Sequence, residues 1–137
     1  MSEERSSSEL GRADDPAEVG VAQLVALEEG LAVALRARDP ERALAELALR
    51  PELGGLGRRV AAISGDGFRL SALLVARLRF ERLVQGSDDA SAWFDRDPGG
   101  FAAAFRRYHA SVPASALFPV DEAELFSRWC EDAALDP

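Results

Sequence analysis

The sequence offers one histidine, His109, and one cysteine, Cys130, as candidates for nucleophilic catalysis. A nucleophile needs a base within hydrogen-bond distance, so His109 could in principle serve Cys130 or a serine that folding brings close. Nothing in their spacing favours this pairing. We interpret His109 as a partly exposed helix residue beside a buried Tyr108, and Cys130 as a small buried hydrophobic residue. A hydrolase is therefore the third hypothesis for this chain, and no catalytic residue is assigned.

Metal and phosphate sites are also not indicated by the sequence. Because Cys130 and His109 are its only soft ligands, the chain cannot assemble a zinc site by itself. The segment 54–57, GGLG, lacks the strand-then-helix context and the Lys-Ser/Thr ending of a phosphate loop, so we interpret it as a turn. Adjacent carboxylates, such as the pair Asp88 and Asp89 or the pair Asp121 and Glu122, diverge on a helix instead of sharing a site, and we assign them no role. We therefore expect no metal ion, no cofactor and no enzymatic activity in this chain.

The residues that we expect to carry function are candidates for binding a partner. Arg79 and Arg82 lie one turn apart, and guanidinium groups suit the recognition of carboxylates and backbone carbonyls. The alternative for these two residues is solvated charge on the outer side of a packed helix. Phe118 lies between two prolines, where an apolar residue must either tuck under the domain or contact a partner. The predicted partner-binding residues are Arg79, Arg82, Arg106, Arg107, Phe118 and Trp129.

Composition predicts one domain with a polar tail. The chain has 137 residues, of which 47% are hydrophobic, and this suffices for one core but not for two. A single cysteine indicates a reducing compartment, and no apolar run approaches the roughly 20 residues of a membrane span. We expect a cytoplasmic protein without membrane contact. Residues 1–14 are polar and predict a disordered tail, followed by a helical domain over 15–137.

Charge is distributed unevenly along the chain. The net charge is -8, and a field of this sign opposes binding to nucleic acid. The segment 56–109 nevertheless holds nine arginines against six acids, a net charge of +3, so an acidic partner would dock there. A small DNA-binding or regulatory protein is the alternative hypothesis. It requires convergence of eight arginines, which are Arg58, Arg59, Arg69, Arg77, Arg79, Arg82, Arg106 and Arg107.

Capping residues predict the helices that position these side chains. Asp-Pro pairs at residues 15, 39 and 97 place a capping carboxylate before a proline suited to the first helical turn. Asp121 and Glu124 predict a capping box for the last helix. The predicted helices cover 15 to about 38, 40 to 50, 66 or 67 to 85, a short stretch through 94, 98 to 112, and 121 to about 133. Segment 58–64 is either a helical turn or a brief extended piece.

The segment 66–85 is predicted to be the hydrophobic hub. Its apolar residues are too many for a narrow stripe and suit a helix that is contacted on several sides. They are at positions 70, 73, 74, 78, 80, 83 and 84. In the next long helix, Phe101, Phe105 and Tyr108 fall on one side and predict an aromatic face. The predicted fold class is all-α, a single compact domain of about five to six helices.

The order of these elements resembles a bacterial helical family that carries the label of a DNA-binding domain. This family includes the C-type partner proteins of multinuclear non-haem iron-dependent oxidative enzymes, such as those of methanobactin cassettes. The resemblance covers roughly residues 22–130. It rests on the central helix FRLSALLVARLRFERLVQGS, on F-x6-YH-x2-VP at 101–113 and on FP-x5-LF-x2-W at 118–129.

The resemblance implies an all-helical accessory subunit. Such a subunit binds an iron-dependent peptide-modifying oxidase, its precursor peptide, or both, during synthesis of a ribosomally made natural product, and iron is expected in the partner enzyme only. Better known members continue into a second, smaller domain, whereas this sequence ends at Pro137. We therefore expect the helical surface to contact the enzyme or the peptide. The DNA-binding label fits poorly with the net charge of -8.

Overall fold

The computed structural model describes residues 20–135, and within that range the chain forms seven α-helices, one 3₁₀ turn and no β-strand. The helices are α1 (Val21–Arg36), α2 (Pro40–Ala48), α3 (Leu56–Ala61), α4 (Gly65–Gly86), α5 (Asp88–Arg96), α6 (Pro98–Ser111) and α7 (Pro119–Asp132), and the 3₁₀ turn is Pro51–Leu53. The all-α prediction is confirmed. The predicted tail over 1–14 and the predicted cap at Asp15 lie outside the described residues.

Two of the predicted Asp-Pro helix starts form as expected. The Asp39 carboxylate accepts a hydrogen bond from the backbone N–H of Arg42 at 3.2 Å, at the start of α2. At the start of α6, the Asp97 carboxylate accepts from the N–H of Gly100 at 3.1 Å. Each cap satisfies one of the helix N–H groups that has no partner within the helix.

The last helix starts differently from the prediction. It begins at Pro119, and its N-cap residue is Phe118, which makes no side-chain cap. The predicted capping box of Asp121 and Glu124 does not form, because the helix begins two residues earlier than Asp121, with Pro119 at its first position. Asp121 lies instead within the first turn of α7.

The glycine-rich segment is only partly a turn. Gly54 has a φ of +53°, a left-handed conformation that glycine adopts without steric cost, and it makes the turn after Leu53. Helix α3 then begins at Leu56, inside the segment 54–57 that the sequence predicted to be a turn. Leu56 and Val60 are both buried, so the packing of one helical face stabilises this short helix and makes the count larger than five to six.

Helix α4 is central, but it is packed on one side only. It contacts α1, α2, α5 and α7. Its buried residues are Phe68, Ala72, Arg79 and Leu83. Its exposed apolar residues are Leu70, Leu73, Leu74 and Leu78, each between 52% and 62% exposed. The prediction of a central helix is therefore correct, whereas four of the apolar residues expected in the core lie on the side that no helix of residues 20–135 covers.

The core consists of two clusters, one at each end of α4. The aliphatic cluster is Ala34, Leu44, Leu47, Leu53, Leu56, Val60 and Phe68. The aromatic cluster is Leu83, Ala90, Phe101, Phe105, Tyr108, Phe126 and Cys130. Tyr108 and Phe126 meet edge to face with ring centroids 5.1 Å apart, a geometry that aromatic pairs favour. The aromatic face predicted for the helix over 98–112 therefore faces the core.

Candidate functional site

A buried polar network lies inside the aromatic half of the molecule and is centred on Arg79 of α4. The Arg79 Nε donates to Oε1 of Glu122 on α7 at 3.0 Å, and the two side chains are 1% and 0% exposed. The Tyr108 hydroxyl donates to the other carboxylate oxygen of Glu122. The Arg79 guanidinium also lies 4.3 Å from the centre of the Tyr108 ring. Because both charges are paired and bonded, the network can exist without water.

The same guanidinium fixes the loop between α6 and α7, which we call the α6–α7 loop (residues 112–118). Arg79 Nη1 donates to the carbonyl of Val112 at 2.6 Å, and Nη2 donates to that of Pro113 at 3.2 Å. One turn further along α4, Arg82 donates to the carbonyl of Ala116 at 3.0 Å. The two arginines do recognise a carboxylate and backbone carbonyls, but they do so inside the molecule. Arg79 is not solvated, because its side chain is 1% exposed and is bonded to Glu122 and to the α6–α7 loop.

Glu122 and Arg36 are the members of this network that sequence reasoning missed. Glu122 was placed among adjacent carboxylates with no assigned role. A signal was present, because Glu122 precedes Phe126 and Cys130 at steps of four and therefore shares their buried face of α7. Arg36, at the end of α1, donates to the carbonyls of His109 and Ala110 at 3.3 Å, a long-range contact that no local pattern indicates.

His109 is buried and neutral rather than partly exposed. Its Nδ1 lies 3.3 Å from Arg79 Nη1, and a guanidinium can only donate, so Nδ1 accepts and the ring proton is on Nε2. Among the described residues, that buried Nε2 has no hydrogen-bond partner. Burial and the positive charges of Arg79 and Arg36 lower the pKa of His109 to about 4.

Cys130 is an inert thiol at neutral pH. It is 1% exposed within the aromatic cluster, and burial raises its pKa to about 11. The hydrogen bonds of the described residues do not join it to His109, so the geometry does not pair these two groups. Residues 20–135 also contain no group of three or more His, Cys, Asp or Glu side chains that could hold a metal ion.

Two exposed apolar surfaces are the candidate interaction sites. The first, which we call the leucine stripe, consists of Leu70, Leu73, Leu74 and Leu78 on α4. The second, the loop patch, consists of Leu117, Phe118 and Val120, which are 81%, 66% and 63% exposed. Phe118 therefore does not tuck under the domain, which leaves contact with a partner as the alternative for this residue.

A surface pocket of about 300 Å³ adjoins the loop patch. Its lining residues are Ser115, Ala116, Leu117, Phe118, Asp121, Glu124, Leu125 and Arg128. Apolar side chains and three charged ones share its wall, and this combination is typical of small binding sites. The pocket is therefore built from the α6–α7 loop and the exposed face of α7.

Arg106, Arg107 and Trp129 complete the set predicted from the sequence. Both arginines are exposed on α6, and Arg106 donates to the carbonyl of Ala102 in its own helix. The Arg107 guanidinium lies 5.6 Å from the centre of the Trp129 ring, and Trp129 is half-buried. The fold thus brings Arg107 and Trp129 together and leaves Arg106 apart. Partner binding by these three residues stays a prediction.

The arginines of the alternative DNA-binding hypothesis do not all remain available. Arg79 is buried. Arg69 lies 3.5 Å from Glu41, and Arg77 lies 3.1 Å from Glu81. Carboxylates thus offset the charge of several basic side chains of the central segment.

Residues 20–135 include no helix whose length and hydrophobicity would allow it to cross a membrane. Comparisons with protein-family models, with curated proteins and with solved structures found no match. The family resemblance drawn from the sequence therefore stays a hypothesis.

Proposed function

We propose that this protein is a non-catalytic accessory subunit that binds an iron-dependent peptide-modifying oxidase, and that the leucine stripe of α4 is the surface that meets the enzyme. The single observation that carries the proposal is the exposure of the four leucines, each more than half accessible to solvent on the central helix. Contiguous apolar surface of this kind on a folded domain marks interaction sites.

The shape of the stripe suits a partner with an apolar groove. Leu70, Leu74 and Leu78 follow one another at steps of four along a helix of 22 residues, so their side chains form a ridge. Arg77 and Glu81, which flank the ridge, are 3.1 Å apart and bond to each other. The ridge can therefore bind in a groove of the enzyme while the ion pair between Arg77 and Glu81 stays intact.

The identity of the partner rests on the resemblance of residues 22–130 to partner proteins of iron-dependent oxidases. In this proposal the enzyme supplies the iron and the oxidative chemistry. This chain supplies a rigid helical surface that holds the enzyme, its precursor peptide, or both in one complex.

Co-expression with a candidate iron-dependent oxidase and a candidate precursor peptide taken from the genes that flank this one tests the proposal. We expect the protein and the oxidase to elute together in size-exclusion chromatography. Leu74→Glu should weaken the complex by about 30-fold or more in Kd, because a central apolar contact becomes a desolvated charge. Leu74 is 54% exposed, so the free variant should fold normally, which circular dichroism checks.

The matched control is Leu49→Glu. Leu49 is 82% exposed at the end of α2, outside the stripe, and the substitution makes the same change in charge. It should leave the complex intact. Absence of a complex with the wild-type protein, together with unchanged peptide modification when the protein is omitted, would overturn the proposal.

A further inference from the structure

The pocket beside the loop patch is built on a fixed backbone. The α6–α7 loop contains no helix, yet Arg79 holds the carbonyls of Val112 and Pro113, and Arg82 holds that of Ala116. In these hydrogen bonds a charged guanidinium donates to a backbone carbonyl, and such bonds are stronger than those between neutral groups. A loop that is already fixed loses little conformational entropy when it binds a ligand. The pocket is therefore preorganised by residues that lie behind it.

Its apolar rim faces solvent. Leu117 and Phe118 line the pocket and are 81% and 66% exposed, and Val120 next to them is 63% exposed. Leu125 continues the apolar wall on α7. An exposed aromatic ring beside an apolar wall is the arrangement found where side chains anchor a bound segment.

The charge of the wall selects among possible occupants. Asp121, Glu124 and Arg128 line the pocket, so two carboxylates face one guanidinium. None of the three is in an ion pair within residues 20–135. The helix dipole accounts for an acid in the first turn of α7, such as Asp121, but not for Glu124 in the second turn. Glu122 adds no charge here, because it is buried against Arg79.

We propose that this pocket binds a peptide segment that carries a basic side chain next to an apolar one. The basic side chain pairs with Asp121 and Glu124, and the apolar one covers Leu117 and Phe118. The inference goes beyond the proposed function, because it needs neither the oxidase nor the leucine stripe.

Fluorescence anisotropy with three labelled hexapeptides tests this inference on the isolated protein. The probes are Gly-Leu-Arg-Leu-Arg-Gly, its acidic counterpart Gly-Leu-Glu-Leu-Glu-Gly, and Gly-Ser-Arg-Ser-Arg-Gly, which lacks the apolar side chains. We expect the first to bind at least about tenfold more tightly than either of the others. Its binding should also weaken as the salt concentration rises.

Variants of the protein locate the binding. Asp121→Asn with Glu124→Gln should lower the affinity for the basic apolar peptide by about tenfold, and Leu117→Ser with Phe118→Ser should abolish its binding. The matched control is Glu28→Gln with Glu29→Gln, which makes the same change in net charge on the exposed side of α1 and should have no effect. Because all six substituted positions are exposed, the variants should fold, and urea denaturation verifies this.

Three results would overturn the inference. The first is equal binding of the basic and acidic peptides. The second is an equal loss of affinity in the α1 control, since this would assign the binding to the general negative field. The third is self-association in sedimentation that Phe118→Ser abolishes while no peptide binds, because a second copy of the chain would then occupy the patch. None of these results bears on the complex with the oxidase, so the two proposals can fail separately.

Discussion

Helix α4 contributes to both the aliphatic and the aromatic cluster, but different forces stabilise the two clusters. The aliphatic cluster consists of buried alanine, leucine, valine and Phe68 side chains. In the described part of the chain, the buried polar side chains are Arg79, His109 and Glu122, and all of them belong to the aromatic half. Apolar burial is non-directional, whereas charged hydrogen bonds fix angles and distances. The buried core of the aliphatic half is therefore stabilised by apolar packing, and that of the aromatic half is also positioned by hydrogen bonds between buried side chains.

This difference matters for the candidate binding pocket. Arg79 joins α4 to α7 through Glu122 and to the α6–α7 loop through Val112 and Pro113. The irregular segment beside the pocket is thus attached to the half of the core that fixes geometry. The stability of this half is therefore sensitive to substitutions in the network, because a buried charge that loses its counter-charge is strongly unfavourable.

The largest expected effect comes from removing the charge of Glu122. Glu122→Gln leaves the buried guanidinium of Arg79 without a counter-charge, so we expect the free energy of unfolding to fall by roughly 3–5 kcal/mol in urea denaturation. The matched control is Glu81→Gln, which removes the carboxylate that pairs with Arg77 on the exposed side of α4. That variant should lose no more than about 0.5 kcal/mol. Similar losses in the two variants would contradict the role given to burial.

The second effect is a dependence of stability on pH that arises in the aromatic half. His109 has a pKa of about 4 in the folded protein and 6.5 as its ordinary value. Above pH 6.5 the ring is neutral in both the folded and the unfolded state, so His109 does not lower the free energy of unfolding. Between pH 6.5 and 4 the unfolded chain binds a proton that the folded protein resists, so stability falls by about 3 kcal/mol. Below pH 4 this loss stops growing.

Asparagine at position 109 isolates this effect. His109→Asn keeps an oxygen that can accept from Arg79 but cannot titrate, so the fall in stability between pH 6.5 and 4 should shrink by about 3 kcal/mol. Leu47→Ala is the counterpart in the aliphatic cluster. This variant leaves a cavity, so its free energy of unfolding should fall by about 2–5 kcal/mol. The loss should be the same at pH 7 and at pH 5. If His109→Asn retained the full pH dependence, the ring would not be its source.

Local patterns predicted the helices because the determinants of helices are local. Asp39 and Asp97 cap helices as expected, and Phe101, Phe105 and Tyr108 share a buried face. Periodicity assigns residues to the same side of a helix, but it does not show which sides receive a neighbour. For this reason the exposure of Leu74 and its companions on α4 was not predicted.

The candidate site was predicted only in part, for a related reason. Arg79 and Arg82 were identified from their chemistry, and Phe118 from its position between prolines. The partners of Arg79 come from α6, the α6–α7 loop and α7, so their positions depend on how distant helices pack. An arginine in a helix can either extend into solvent or pair with a buried carboxylate. The one sequence signal for a buried carboxylate was the spacing of four residues that places Glu122 on the same face of α7 as Phe126 and Cys130.

The smallest expected effect concerns the exposed edge of the aromatic half. The Arg107 guanidinium lies over the Trp129 ring, whereas Arg106, its neighbour on α6, bonds to a carbonyl of its own helix. Arg107→Ala and Arg106→Ala change the net charge equally, so the difference between them reports the ring contact. We expect Arg107→Ala to lose about 0.5 kcal/mol more in urea denaturation, as an exposed cation–π pair does. With Trp93 replaced by Phe, the emission of Trp129 should change only in the Arg107 variant. If the two variants were equally stable and the Trp129 emission did not change, the Arg107–Trp129 contact would make no contribution. The bonds that position the aromatic half would then be limited to its buried network.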